Sequence, residues 1–119
     1  MIRKLTESEC KAALENGEFD SDLVSGPAAA IILTQSWCPQ WSAMRSYLPK
    51  VEAALGDVKL YYVEYDAEVW ESLENEAFMT FKENTFSNRE IPYVRYYKNG
   101  AFSRDSNYLF LDGFLSRLR

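Results

Sequence analysis

Ala28-Ala29-Ala30-Ile31-Ile32-Leu33, followed after a short gap by Ser36-Trp37-Cys38-Pro39-Gln40-Trp41, is the stretch on which the reading of this chain turns. An apolar run that gives way to a segment of 3.6-residue period is a buried strand turning into a helix. After Cys38 the apolar positions are Trp41, Met44, Leu48, Val51 and Leu55, one helical stripe ending near Gly56. Pro39 suits the first turn, where its missing N–H would have no partner. Pro49 falls inside the stripe and should bend or locally break the helix. Cys38 then sits at the helix start, where free N–H groups and the dipole favour an anion. A thiolate at such a place is stabilised by those groups.

Upstream, Ile2 to Leu5 reads as a short edge strand, and Thr6-x-x-Glu9 as a capping box opening a helix that stops near Gly17. The buried stripe of that helix is Cys10, Ala13 and Leu14, which makes Cys10 a small core residue. Residues 17–27 are rich in Gly, Ser, Asp and Pro and form a loop.

Downstream, Val58 to Tyr65 is β-branched and aromatic enough for a strand. Asp66 is expected to cap a helix with the stripe Val69 or Trp70, Leu73, Ala77 and Phe81, fading near Asn84. Ile91-Pro92 opens a further strand, Tyr93 to Lys98, and Asn99-Gly100 specifies a type I′ hairpin into a return strand, Ala101 to Arg104. Ser106 or Asn107 is expected to cap a last helix with Leu111, Phe114, Leu115 and Leu118 on its buried face. Helices between strands require parallel crossovers, whereas the hairpin adds an antiparallel edge. The expected architecture is α/β, in the order βαβαβαββα: a mixed sheet with helices on both faces, formed by residues 1–119 as a single domain.

Composition narrows the function. The chain has 119 residues, 47% of them apolar and 26% charged, an ordinary globular balance. Its formal charge of −5, with basic residues scattered singly, argues against nucleic acid or an anionic membrane as partner. No apolar run is long enough for a transmembrane helix. Thr6-Glu7-Ser8-Glu9 stands where a signal peptide would have its apolar core, so a reducing cytoplasm is the expected compartment. Histidine is absent, which removes His-based general base catalysis, Cys-His pairs and the common zinc sites. No metal or other cofactor is expected, and chemistry has to run on cysteine or carboxylate.

The element order, with Trp37-Cys38-Pro39-Gln40 at the start of the second helix, then Ile91-Pro92, then Lys98-Asn99-Gly100, resembles the thioredoxin family over nearly the whole chain. The resemblance implies a cis Ile91–Pro92 bond lying against Cys38. It also implies a groove in which a partner's extended segment pairs with the exposed backbone before the proline. Three positions depart from that family. Trp41 stands where the second cysteine would be, Ile32 where a buried acid would be, and the bulky Tyr93 where threonine follows the proline. Cys-Pro resembles glutaredoxins, but the Gly-Gly-x-Asp-like glutathione motif is absent, so glutathione binding does not carry over. An iron–sulfur scaffold would need that missing site, and Trp41 crowds the place a cluster would occupy.

Trp41 cannot resolve a mixed disulfide. Cys10 is no substitute, because the family's layout puts the first two helices on opposite faces of the sheet, and a disulfide needs Cα atoms within about 7 Å. A dithiol reductase cycle within one chain is therefore excluded. Two readings follow. In one, an exposed Cys38 works as a monothiol, forming a mixed disulfide with a protein or low-molecular-weight thiol that an external thiol resolves. In the other, the chemistry is lost and an apolar groove rimmed by Trp37, Pro39, Ile91, Pro92 and Tyr93 binds a partner segment. Outside this site, Trp41 is expected in the core, Trp37 at the rim, and Arg95, a cation in mid-strand, has Glu64 as its candidate partner. The acidic run from Glu68 through Glu76 reads as a solvated helix face.

Overall fold

The computed structural model describes residues 2–119. Its elements run β1 (Ile2–Lys4), α1 (Glu7–Asn16), β2 (Ala28–Thr34), α2 (Pro39–Leu55), β3 (Val58–Glu64), α3 (Asn75–Thr85), β4 (Tyr93–Lys98), β5 (Ala101–Ser106) and α4 (Leu111–Leu118). The five strands form one sheet in the order β1-β3-β2-β4-β5, parallel from β1 to β2 and antiparallel beyond. The all-apolar run is the central strand: every residue of β2 is buried. Strands buried on both faces lose the polar alternation of half-exposed ones, which is why this run reads as continuous.

The sheet separates two cores. On one face, α1 and α3 contribute Cys10, Ala13, Phe78 and Phe81, packed on Ile31, Leu33, Tyr61, Val63, Tyr93 and Tyr97. On the other, α2 and α4 contribute Cys38, Trp41, Met44, Leu48, Val51, Phe114, Leu115 and Leu118, packed on Ile32, Leu60, Val94 and Tyr96. The two cysteines thus lie on opposite sides of the sheet, and both are free.

The helix α2 runs unbroken through Pro49. A mid-helix proline costs about 3 kcal/mol. The four buried residues of the stripe, Trp41, Met44, Leu48 and Val51, each contribute about 1.5–3 kcal/mol, so burial outweighs the lost hydrogen bond. The hairpin is as expected: Asn99 and Gly100 have φ of 54° and 82°, the two positive values a type I′ turn requires. Gly17, at φ 74°, ends α1 in the left-handed conformation.

Besides the expected break at Pro49, three expectations fail. The third helix starts at Asn75, not after Asp66, and Val69 is 97% exposed rather than part of a buried stripe. The cause is competition from other elements. Asp66 accepts hydrogen bonds from the Ser36 N–H and hydroxyl, both at 2.6 Å. The Glu7 carboxylate accepts from the backbone N–H groups of Glu71, Ser72 and Leu73 at 3.2, 2.6 and 2.9 Å. Those N–H groups serve an anion nest instead of a helical ladder. The last helix starts at Leu111 without a side-chain cap. Ser106 belongs to the longer β5, and Asn107 turns its amide elsewhere. Lastly, Arg95 does not reach Glu64; it pairs with Glu18 at 2.5 Å.

The capping box at the start of α1 has a pH consequence. Glu9 accepts two bonds from Arg3, at 2.8 and 2.7 Å, and one from the Thr6 N–H at 2.8 Å. The Arg3 bonds foremost push its carboxyl from an ordinary 4.5 down to about 2, and the Ser72 N–H foremost lowers that of Glu7. A carboxyl depressed by folding stabilises the native state above its unfolded value and loses that contribution as pH falls through the folded one. Stability should therefore decline as pH falls from 4.5 toward about 2. The decline should be shallower in Glu9→Gln, as read from urea midpoints across that window.

Candidate functional site

The loop between β2 and α2 is held at both ends of its turn. The Cys38 N–H donates to Gln35 O at 3.2 Å, and Asp66 grips Ser36 from the neighbouring loop. Cys38 is the N-cap residue of α2, with its carbonyl accepting from the Ser42 N–H at 3.1 Å. Its sulfur touches the carbonyl oxygen of Ile91 at 4.0 Å, and the Ile91–Pro92 peptide is cis. Residues 53 positions apart in sequence are thereby brought together at the end of the sheet.

Not all the expected rim residues are at the rim. Trp37 is 66% exposed, with its indole N–H donated to the Gln35 side chain, and Pro39 is exposed beside it. Ile91 is half-buried. Cys38 itself is nearly covered, at 5% exposure, rather than exposed. Pro92 is buried, and Tyr93 is fully buried and not at the rim. Strand alternation explains Tyr93: it shares the α1/α3 face with Arg95 and Tyr97, while Val94 and Tyr96 face Cys38.

The concavity that Ile91 lines is also more polar than an aromatic groove. A cleft of about 580 Å³ is lined by Gln40, Arg89, Glu90, Ile91, Asn107 and Tyr108. Of these only Ile91 is among the expected groove residues; the others lie in irregular segments or first turns, where periodicity says nothing. A second concavity, of about 440 Å³, lies away from the sulfur, between Arg3, Glu9, Asp20, Asp22 and Tyr61.

Trp41 fills the space three positions after Cys38. It is 1% exposed, and its indole N–H donates to Glu64 at 2.8 Å. Arg45 covers this corner, 3.7 Å from Glu64 and stacked 4.9 Å over the Tyr62 ring. The indole is thus a satisfied core group, not a reactive one. The other thiol is no better placed. Burial foremost, with the charges of Glu68, Glu9 and Glu7, pushes the Cys10 thiol up to about 12, and Cys10 is 0% exposed. A thiol so poised is inert at neutral pH.

Among the described residues no group of His, Cys, Asp and Glu is arranged to hold a metal ion, and no helix is long and apolar enough to cross a membrane.

No protein-family model matches the sequence, and no curated protein matches it. Solved structures do match. Thioredoxin O2 from Arabidopsis thaliana, in its oxidised state, superposes with a TM-score of 0.63 at 16% identity, over 97% of this chain and 89% of that one. Trxlp from Edwardsiella tarda gives 0.60 at 17% identity, over 98% and 95%. Thioredoxin f from spinach chloroplast gives 0.65 at 12% identity, over 98% and 83%. The chain has the thioredoxin-like fold. Within that fold it carries two cysteines far apart in sequence and no Cys-x-x-Cys pair, which sets it apart from dithiol thioredoxins.

Proposed function

We propose that this chain is a monothiol thiol–disulfide exchange protein acting through Cys38. The observation that carries the reading is the contact of the Cys38 sulfur, at the head of α2, with the Ile91 carbonyl on the edge of an open cleft. The Cys38 thiolate attacks one sulfur of a disulfide R–S–S–R′, forming a Cys38–S–S–R bond as R′–S⁻ leaves. An external thiolate R″–S⁻ then attacks the R sulfur of this mixed disulfide. R–S–S–R″ forms, and Cys38 leaves as thiolate. Neither Trp41 nor Cys10 takes part, so the second step depends wholly on the external thiol. Trp37 and Pro39, exposed beside the sulfur, offer apolar contact to the R group. The partners are a protein or low-molecular-weight thiol, and a reducing cytoplasm suits a free Cys38.

The test is mass spectrometry after incubation with a cysteine-containing peptide disulfide. One adduct per chain, located at Cys38 and removed by added free thiol, is the expected result. The alternative of a binding module without chemistry draws on the same exposed Trp37 and the near-complete cover over the sulfur. It gains if no adduct forms while a peptide still binds.

A further inference from the structure

The segment that faces Cys38 is not held by the sheet. The ladder of β4 begins only at Tyr93, opposite Leu33, leaving Ile91 and Pro92 outside it. What holds them is a closed set of side chains that the exchange step does not use. Asn88 and Asn107 face each other as a reciprocal amide pair: Asn88 Nδ2 donates to Asn107 Oδ1 at 3.1 Å, and Asn107 Nδ2 donates to Asn88 Oδ1 at 2.9 Å. Asn107 Nδ2 also donates to the carbonyl of Pro92 at 3.1 Å, and Asn88 Oδ1 accepts the Glu90 N–H at 3.0 Å. Beneath them Lys82, which is 0% exposed, donates from Nζ to the Asn88 carbonyl at 3.0 Å.

Two features set this apart from ordinary loop packing. Asn107 has both amide hydrogens and its oxygen partnered. A lysine buried to that extent is costly, since its ammonium loses its hydration; burial foremost pushes its pKa below the ordinary 10.5. In return α3, the 86–92 segment and the segment after β5 are tied together at one point. The amide pair also stands at the wall of the cleft, to which Asn107, Glu90 and Ile91 all contribute.

We infer that Asn107 and Asn88, anchored by Lys82, are positioning residues for exchange at Cys38: they hold the Ile91–Pro92 segment in register so that a polypeptide bearing the attacked disulfide docks against it. The inference rests on the exchange reading above. A small disulfide needs only the sulfur, whereas a peptide also needs the wall. Loosening the wall should therefore change the preference between them.

The test uses two probes that release the same 2-thiopyridone when Cys38 attacks. One is 2,2′-dipyridyl disulfide; the other is a short unstructured peptide whose single cysteine carries the thiopyridyl group. In Asn107→Asp the side chain keeps its size but loses both donors. The ratio of peptide rate to small-reagent rate should fall about tenfold, the scale of one hydrogen bond missing from the docked state. Asn88→Asp should act in the same direction, and Asn107→Ala serves if Asn107→Asp fails to fold. A ratio unchanged from wild type in a folded variant overturns the positioning roles alone. Two rates that fall together do the same, since that is the mark of general loosening. A wild-type protein that reacts with the small reagent and never with the peptide overturns the positioning roles while exchange with small disulfides stands; one that reacts with neither overturns the exchange reading, and the positioning roles with it.

Discussion

Cys38→Ser is expected to abolish all thiol reactivity of the native chain. The intact protein should titrate one thiol, the variant none, and both should gain one more on unfolding. The argument rests on the difference between the two cysteines. Cys10 is enclosed between α1 and the sheet with a pKa raised to about 12, so its thiolate is scarce and a reagent cannot reach it without opening the core. Cys38 is also covered, but its sulfur lies against the carbonyl of Ile91, a residue that lines an open cleft, so a local movement is expected to admit a disulfide. Formation of the mixed disulfide should vanish with the serine, since a hydroxyl neither ionises near neutral pH nor bonds to sulfur under these conditions. A serine variant that still forms adducts would place the chemistry at Cys10 and contradict the reading of both sites. Titration with an aromatic disulfide reagent, before and after denaturant, makes the measurement.

Arg95→Ala should produce the largest loss of stability, about 3–5 kcal/mol, as expected for breaking a buried ion pair from one side. The guanidinium is 7% exposed and lies between the Phe86 and Phe102 rings, 3.9 and 4.0 Å from their centroids. It donates to the phenol oxygens of Tyr97 and Tyr93 at 2.9 and 3.1 Å and to Glu18 at 2.5 Å. Tyr97 also donates to Glu18, and Tyr93 to Asp105. One cation thus joins the loop after α1, both hairpin strands and the end of α3. Removing it strips two phenols and a carboxylate of a donor and leaves a hole between two rings. The melting temperature should fall by roughly 10–20 °C for a chain of this size. Glu18→Gln keeps an acceptor and should cost much less, because the Glu18 side chain is 40% exposed and rehydrates. Equal losses in the two variants, or a loss under about 1 kcal/mol in Arg95→Ala, would refute this account.

Local signals dictated most of the architecture. The capping box Thr6–Glu9, the buried run of β2, the stripe of α2 and the Asn99–Gly100 turn all act within a few residues, and each appears where the sequence puts it. The misreadings occur where a distant group overrides local preference. The segment before Asn75 has an apolar period, yet a carboxylate on α1, 64 to 66 positions away, takes its N–H groups. Asn107 looks like a helix cap, but it serves Asn88 and Pro92. At the candidate site, Cys38 and Ile91–Pro92 were legible through the resemblance to thioredoxins, and their meeting is a property of the topology. The polar lining of the cleft was not, because Gln40, Arg89 and Tyr108 follow no periodicity. Tyr93 could have been placed by parity: its strand neighbours at every second position, Arg95 and Tyr97, lie on the face away from α2.

The partition of the two sulfurs by the sheet governs how this molecule ages in air. Internal bridging is blocked by a layer of backbone, so an oxidant has only outward routes. It can leave a sulfenic acid at position 38, join that atom to a visiting small molecule, or couple two copies of the chain through it. On the proposed exchange reading, each of these products is open to reversal by a thiol from outside until oxidation passes the sulfenic stage, so the state of the protein would follow that of its surroundings rather than being stored within its own fold.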